Sequence, residues 1–355
     1  MDPIRITKPY LPNKKKYTGY LDKIYTNNWL TNDGPVLQEL TGRLENYLGV
    51  RNLLLVANGT LALQIAYRLL EIKHVLTTPF TFIATASSLL WDKYELQFSD
   101  IDPFTFNMDP EKIPAANIDA VVPVHVFGNP CAVDKIAKLS DQQKIRIIYD
   151  AAHAFGVRYN DKSILNYGDI SVLSFHATKI FHTIEGGGLI IKDDDLYHKA
   201  KAIINFGFSD GNINELGINA KMNEFQAAMG LCVLDDFKII LEKRKFIFNT
   251  YREKLADYVQ FQKLHDHIQW NYSYTPVVFK SEADLLKVCS LLQENNVFPR
   301  RYFFPSLNML SCLQFKIKMD NSEALSKKIL CLPMFFEITE KQITFICELV
   351  KQALD

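Results

Sequence analysis

Between residues 53 and 191 the chain alternates short apolar runs with amphipathic helical stretches, a rhythm that few folds accept. "LLLVA" reads as a strand, "TLALQIAYRLLEI" as a helix, "HVLTT" as a strand and "FIATASSLLWD" as a helix. "YELQFSD", "AVVPVHV" and "RIIYD" continue the strands, with the helix "AVDKIAKLS" before the last, and "DISVLSF" and "GGLIIK" add two more. Strands this short and apolar have no face to show to water. The expected fold class is therefore α/β, a mostly parallel central sheet with helices on both faces. At 355 residues the chain exceeds what one core normally fills, so a smaller companion unit is expected. The large domain, with an N-terminal arm, is placed at 1–240. A small C-terminal α+β domain is placed at 241–355, from "YSYTPVVF", the helix "EADLLKVCSLLQENN" and "VFPRRYFFP".

Ahead of the alternation, a polar, proline-bearing arm leads to a turn at Asn32 to Pro35 and an amphipathic helix with Val36, Leu37, Leu40 and Leu44 inward. Behind it, "KMNEFQAAMGLCVLDDFKIILEKRKFIFNTYREKLADY" reads as a long helical region. Forty basic side chains balance forty acidic ones, so no long-range field favours nucleic acid or an anionic membrane, and neither is an expected partner. The opening "MDPIRITKPYLPNKKK" carries charge where a secretory leader needs an apolar block, which makes the cytoplasm the expected location. The six cysteines are scattered without C-x-x-C spacing; buried thiols are expected, and no metal.

In open α/β sheets ligands bind beyond the carboxyl ends of the strands. Four of those ends carry unusual residues. After "LLLVA", Asn58, Gly59 and Thr60 open a helix, where free amides and the helix dipole suit a phosphate, although Thr60 as a plain cap fits equally well. After "HVLTT" come Phe80 and Phe82, rings that could cover a flat ligand or simply fill the core. Asp150 ends the apolar "RIIYD" with His153 three residues on, and a buried carboxylate there needs a partner. Lys179 stands in "SFHATKIFHTIEGGG", on a loop between two strands. Singly, each has an ordinary explanation. Together, in this chain order, they suit pyridoxal 5′-phosphate. Its phosphate would meet the amides of Gly59 and Thr60, Phe82 would cover the pyridine, Asp150 would keep the ring nitrogen protonated, and Lys179 would hold the aldehyde as a Schiff base.

The segments "NGTLALQIA", "TTPFTFIATA", "VVPVHVFGNPC", "IIYDAAHAFG", "SFHATKIFHTIEGGG" and "GINAKMNEFQAAMGL", in that order, resemble the fold type I, pyridoxal-phosphate-dependent sugar aminotransferases of the DegT/DnrJ/StrS family over nearly the whole length. Within the family, "WLTNDGP", "NYSY" and "RRYFFP" are most similar to members that aminate C4 of dTDP-4-keto-6-deoxy-glucose for O-antigen or other surface glycans, with L-glutamate as donor. The resemblance implies Lys179 as Schiff-base lysine and general base, Asp150 at the pyridine nitrogen, Phe82 on the ring, and His153 beside the ring hydroxyl. It also implies Ser174, with Gly59 and Thr60, on the phosphate. Asn219 matches a residue that reaches the phosphate from the partner subunit, which implies a homodimer with shared sites. Lys221, Asn32 and Asp33 are implied at the sugar nucleotide. Arg300, Arg301 and Tyr302 are candidates for the diphosphate or sugar, with surface charge as the alternative for the arginines.

Related dehydratases carry histidine where this chain has Lys179, so amination is expected over deoxygenation. Three alternatives stay open. The substrate could be aminated at C3 or be a UDP-linked 4-keto sugar. A binding or regulatory relative should have lost the lysine or the strand-end aspartate. A nicotinamide-dependent oxidoreductase should show G-x-G-x-x-G after the first strand, which is missing.

Overall fold

The computed structural model describes residues 2–315 and 317–355. The segment read as an irregular arm contains a helix, α1 (Lys14–Asn27), started by Asn13, whose Oδ1 accepts from the Lys15 amide at 2.9 Å. Its stripe of Tyr17, Tyr20, Leu21 and Ile24 has the helical spacing i, i+3, i+4, i+7, with Ile24 fully buried and the other three half-buried against the core. In α2 (Pro35–Leu48) Val36, Leu37, Leu40 and Leu44 are buried, as the periodicity requires. The turn before it places Asn32 and Asp33 in left-handed conformations, which these residue types tolerate. Glu224, far along the chain, closes the helix start: its carboxylate accepts from the amides of Val36 at 2.9 Å and Leu37 at 2.8 Å.

The central sheet has seven strands, β1 (Leu53–Val56), β2 (His74–Thr77), β3 (Glu95–Phe98), β4 (Ala120–Val122), β5 (Arg146–Asp150), β6 (Ile170–Ser174) and β7 (Gly187–Ile191). Their spatial order is 3-2-4-5-6-7-1. Every adjacent pair is parallel except those of β7, which runs antiparallel to both β6 and β1. The intervening helices are α3 (Gly59–Leu69), α4 (Ile83–Trp91) and α5 (Val133–Gln143), and α6 (Asp194–Ile203) follows β7. Alternate strand residues serve opposite faces. Leu53, Leu55, Ile147, Tyr149 and Leu173 join the core of α2, whereas Leu54, Val56, Ile148 and Val172 pack under α3 and α4. Each such side chain contributes roughly 1.5–3 kcal/mol when fully buried, which is why neither face can be left open.

The long helical region is two helices, α7 (Glu224–Asp235) and α8 (Phe237–Leu255), broken at Asp236, so position 240 falls in the first turn of α8. Further on, β8 (Gln260–Phe261), β9 (Thr275–Val278) and β10 (Ile329–Leu332) form an antiparallel sheet accompanied by α9 (Glu282–Glu294), α10 (Asp320–Lys328) and α11 (Glu340–Leu354). The strand Ile4–Arg5 pairs with Val297–Phe298, tying the arm to this C-terminal region. A cluster of Phe80, Phe106, Val124, Phe127, Tyr274, Phe303 and Ile329 welds the same region to the carboxyl edge of the central sheet. Here β1 and β2, consecutive in the chain, have four strands between them, and such a change of direction opens a crevice. Among the described residues no helix is long and apolar enough to cross a membrane.

Candidate active site

At that edge lies a cleft of about 710 Å³. The strand ends supply Gly59, Thr60, Phe82, Asp150, His153, Ser174 and Lys179 to its walls, and the C-terminal region supplies Arg300 and Tyr302. Asn58 caps α3 with its Oδ1 accepting from the Leu61 amide at 2.9 Å, which leaves the first amides of that helix directed outward. Gly59 sits against Ser174 so closely that a Cβ would lie 3.0 Å from the serine Cβ and 3.3 Å from its Oγ. Across from it Gly187, where β7 starts, has no room either, since its Cβ would come 2.6 Å from the Asn58 carbonyl. These two glycines shape a small cradle bounded by backbone N–H groups and one hydroxyl, the donor set an anion needs.

Asp150 is 5% exposed. One carboxylate oxygen accepts from Thr85 Oγ1 at 2.7 Å, and Thr85 in turn touches Thr81 Oγ1 at 3.0 Å. The other accepts from the Ala152 amide at 3.1 Å. Burial pushes its pKa up, and the Thr85 hydroxyl, the Ala152 N–H and the charge of Lys179 oppose that. Lys179 is held by a turn in which its amide donates to the His176 carbonyl at 2.8 Å. Loss of solvent brings its amine down to about 8, with Asp150 pulling the other way. Phe82 is 51% exposed at the N-terminus of α4, an aromatic face presented to the cleft. His153 accepts the Phe127 N–H on Nδ1 at 3.2 Å, and burial first, then Lys179, holds its pKa well below the usual imidazole value.

Other expected residues lie elsewhere. Asn219 is exposed and pairs its backbone with Asn205, and Lys221, Asn32 and Asp33 line a second cavity of about 510 Å³. Arg301 turns away from the cleft. Its guanidinium meets Glu282 at 2.8 Å and the carbonyls of Ser326 and Lys327, and lies 3.4 Å over the Phe304 ring. The cleft also contains residues that the sequence reading omitted. Thr85, which with Thr81 flanks Phe82 in "TTPFTFIATA", has no role in that reading; it stands in the first turn of α4, with Thr81 just ahead of the helix. Tyr274 and Phe303 lie within the segments "NYSY" and "RRYFFP", but only tertiary packing brings their rings to the cleft.

A mostly parallel sheet with a cradled anion seat, an exposed aromatic, a buried carboxylate and a desolvated lysine at one strand edge has the make-up of fold type I pyridoxal-phosphate enzymes. The family model of the DegT/DnrJ/EryC1/StrS aminotransferases matches residues 13–351, and the chain belongs to that family. It is a pyridoxal-phosphate-dependent sugar aminotransferase. Among its relatives, a dTDP-4-amino-4,6-dideoxy-D-glucose transaminase of Shigella dysenteriae is 38% identical, with 99% of each chain aligned. A transaminase of the same name from Escherichia coli is 34% identical over 98% of each chain. The crystal structure of DesI in the presence of its TDP-sugar product superimposes with a TM-score of 0.94 at 33% identity, covering 100% of this chain and 93% of that one.

Proposed function

We propose that this enzyme transfers the amino group of L-glutamate to C4 of dTDP-4-keto-6-deoxy-D-glucose, giving dTDP-4-amino-4,6-dideoxy-D-glucose for O-antigen or other surface glycans assembled from cytoplasmic precursors. The observation that carries the choice of substrate is the full-length similarity to two transaminases named for that sugar. The cradle at Gly59, Thr60 and Ser174 supports phosphate binding, because a side chain at 59 would fill it. When bound, the cofactor supplies an electron sink for the carbon that loses or gains the amine. Lys179 would hold the cofactor's aldehyde, and its amine, brought down to about 8, would suit moving a proton at the reacting carbon. Asp150 would face the ring nitrogen, and a positive nitrogen there would give the carboxylate the counter-charge that its burial demands. Phe82 would cover the ring, and His153 would stand beside its hydroxyl.

Arg300 and Tyr302, on the cleft wall, take the sugar nucleotide in this reading. The positions of Asn219, Lys221, Asn32 and Asp33 outside the cleft support a homodimer in which they serve the partner's site. The exposed Phe206, Phe208, Ile213, Leu216 and Ile218 nearby give such a partner an apolar surface to cover. The test is to incubate the holoenzyme with glutamate and dTDP-4-keto-6-deoxy-D-glucose and locate the new amine by NMR. An amine at C4 with the gluco configuration is expected. Amination at C3, or turnover only with UDP-linked 4-keto sugars, would overturn the assignment.

A further inference from the structure

His153 is gripped from behind by a stretch more than a hundred residues away. Its backbone carbonyl accepts from Asn271 Nδ2 at 2.8 Å and from Ser273 Oγ at 2.7 Å. Asn271 also donates to the Phe155 carbonyl at 2.9 Å, so it pins both ends of the loop that carries the histidine. The residue that fixes the imidazole itself, Phe127, has φ of 57°, and its carbonyl accepts the Trp270 indole N–H at 3.1 Å. Gly128, at φ of 82°, completes the turn; a Cβ there would come 2.6 Å from Asn271 Oδ1 and 2.8 Å from the His153 carbonyl. Phe127 and Phe303 lie parallel to the imidazole at 6.0 and 6.1 Å, and Tyr274 tilts against it at 4.8 Å. Trp270, Asn271, Ser273 and Tyr274 are all buried.

Nδ1 is the acceptor of a main-chain N–H that cannot move, so the one proton of the neutral ring sits on Nε2. A second proton on Nδ1 would set two donors face to face. The charged and titratable groups around the ring act in the same direction or are already engaged. Lys179 disfavours added positive charge, Asp150 at the end of β5 is occupied by Thr85 and Ala152, Tyr274 lies on the ring, and Arg244 behind it donates to the Ser273 carbonyl at 2.8 Å. We infer that Trp270, Asn271 and Ser273 are positioning residues that hold His153 as a neutral imidazole with Nε2–H aimed into the cleft, a fixed and uncharged donor to the phenolic oxygen of the cofactor. The inference rests on the cofactor reading above. An uncharged donor leaves the pull on electrons to the ring nitrogen opposite Asp150.

The experiment uses the holoenzyme labelled with ¹⁵N-histidine, with His153→Gln identifying the resonances of residue 153, together with pH titration of the visible absorbance in the wild type, Asn271→Ala, His153→Leu and the double variant His153→Leu/Asn271→Ala. His153 should keep a protonated Nε2 and bare Nδ1 throughout about pH 5.5 to 8.5, the span in which an ordinary imidazole titrates. A donor stabilises the phenolic anion most after the neighbouring nitrogen loses its proton, so weakening the donor raises the absorbance midpoint; Asn271→Ala should raise it by about one unit. A leucine at 153 leaves no donor to be positioned, so adding Asn271→Ala to His153→Leu should shift nothing further. Protonation on Nδ1, titration of His153 within that range, or an equal Asn271→Ala shift in both backgrounds overturns the inference. Absence of a visible band in every protein overturns the cofactor reading instead.

Discussion

The two cavities each contain a lysine whose pKa is lowered by loss of solvent, Lys179 in one and Lys221 in the other, yet they are built for different work. Lys221 is engaged: its ammonium donates to Asn205 Oδ1 at 2.9 Å and lies 5.0 Å over the Phe206 ring, both of which favour the charged form. Lys179 has a carboxylate nearby in Asp150, but that carboxylate is already engaged by Thr85 and Ala152. Desolvation alone therefore does not make a nucleophile. It does so where the neighbours are committed elsewhere, while a lysine given an amide oxygen and an aromatic face stays a cation suited to holding an anion.

The sharpest way to break the comparison is to remove each amine in turn. Lys179→Ala should abolish the visible absorbance formed with pyridoxal phosphate and lower turnover by at least about 10⁴-fold, the upper range for a positioned proton-transfer group. Retention of the band would exclude Lys179 as the cofactor's anchor. Next in size, Asp150→Asn should leave folding intact and reduce turnover by about 10³-fold, because a neutral amide no longer sustains a protonated ring nitrogen. Thr85→Val removes a single hydrogen bond to that carboxylate and should cost about tenfold, in line with roughly 1.5 kcal/mol for a bond to a charged group. If Thr85→Val were as damaging as Asp150→Asn, the threonine would have a role of its own.

The two lysines were legible to different degrees, and the reason is physical. Lys179, Asp150, Gly59 and Ser174 sit at or just after strand ends, and alternating buried strands put all such ends along one edge, so a one-dimensional pattern already groups them. Tyr274 and Phe303 reach the same cleft from the far end of the chain through an aromatic cluster, and Trp270, Asn271 and Ser273 act on His153 through backbone carbonyls; neither kind of contact leaves a periodic trace. Arg301 illustrates the opposite failure. Beside Arg300 in the sequence, it has the composition of a ligand residue, but Glu282 and Phe304 absorb it. Helix α1 has a weaker pattern because three of its four core-facing residues, Tyr17, Tyr20 and Leu21, are only half-buried and two are tyrosines, whereas α2 declared itself through Leu37, Leu40 and Leu44.

The depressed pKa of Lys179 has a kinetic signature that Lys221 cannot supply. Only the neutral amine attacks an aldehyde, and below the pKa its fraction falls tenfold per pH unit. Capture of pyridoxal phosphate by the apoenzyme should therefore accelerate about tenfold per unit as pH rises from 6 towards 8 and level off above about 8, where the amine is already neutral. Stopped-flow absorbance measures this directly. A rate that keeps climbing through pH 9.5 would mean an ordinary, solvated lysine.

The smallest expected effect decides whether the second cavity serves a neighbouring protomer. Lys221→Met removes one charge-assisted contact, so the KM for the sugar nucleotide should rise about tenfold, equivalent to roughly 1.4 kcal/mol, while the glutamate half-reaction keeps its rate. Equal slowing of both half-reactions would point to a structural role. The informative experiment then mixes Lys221→Met with Lys179→Ala and allows subunits to exchange. In a mixed dimer, the protomer carrying Lys221→Met still has Lys179, and its cleft would receive an intact Lys221 from the partner only if the lysine works across the interface. Turnover with the original KM should thus reappear in the mixture although neither parent shows it. A lysine that served its own cleft could not produce that recovery, since no chain in the mixture carries both amines.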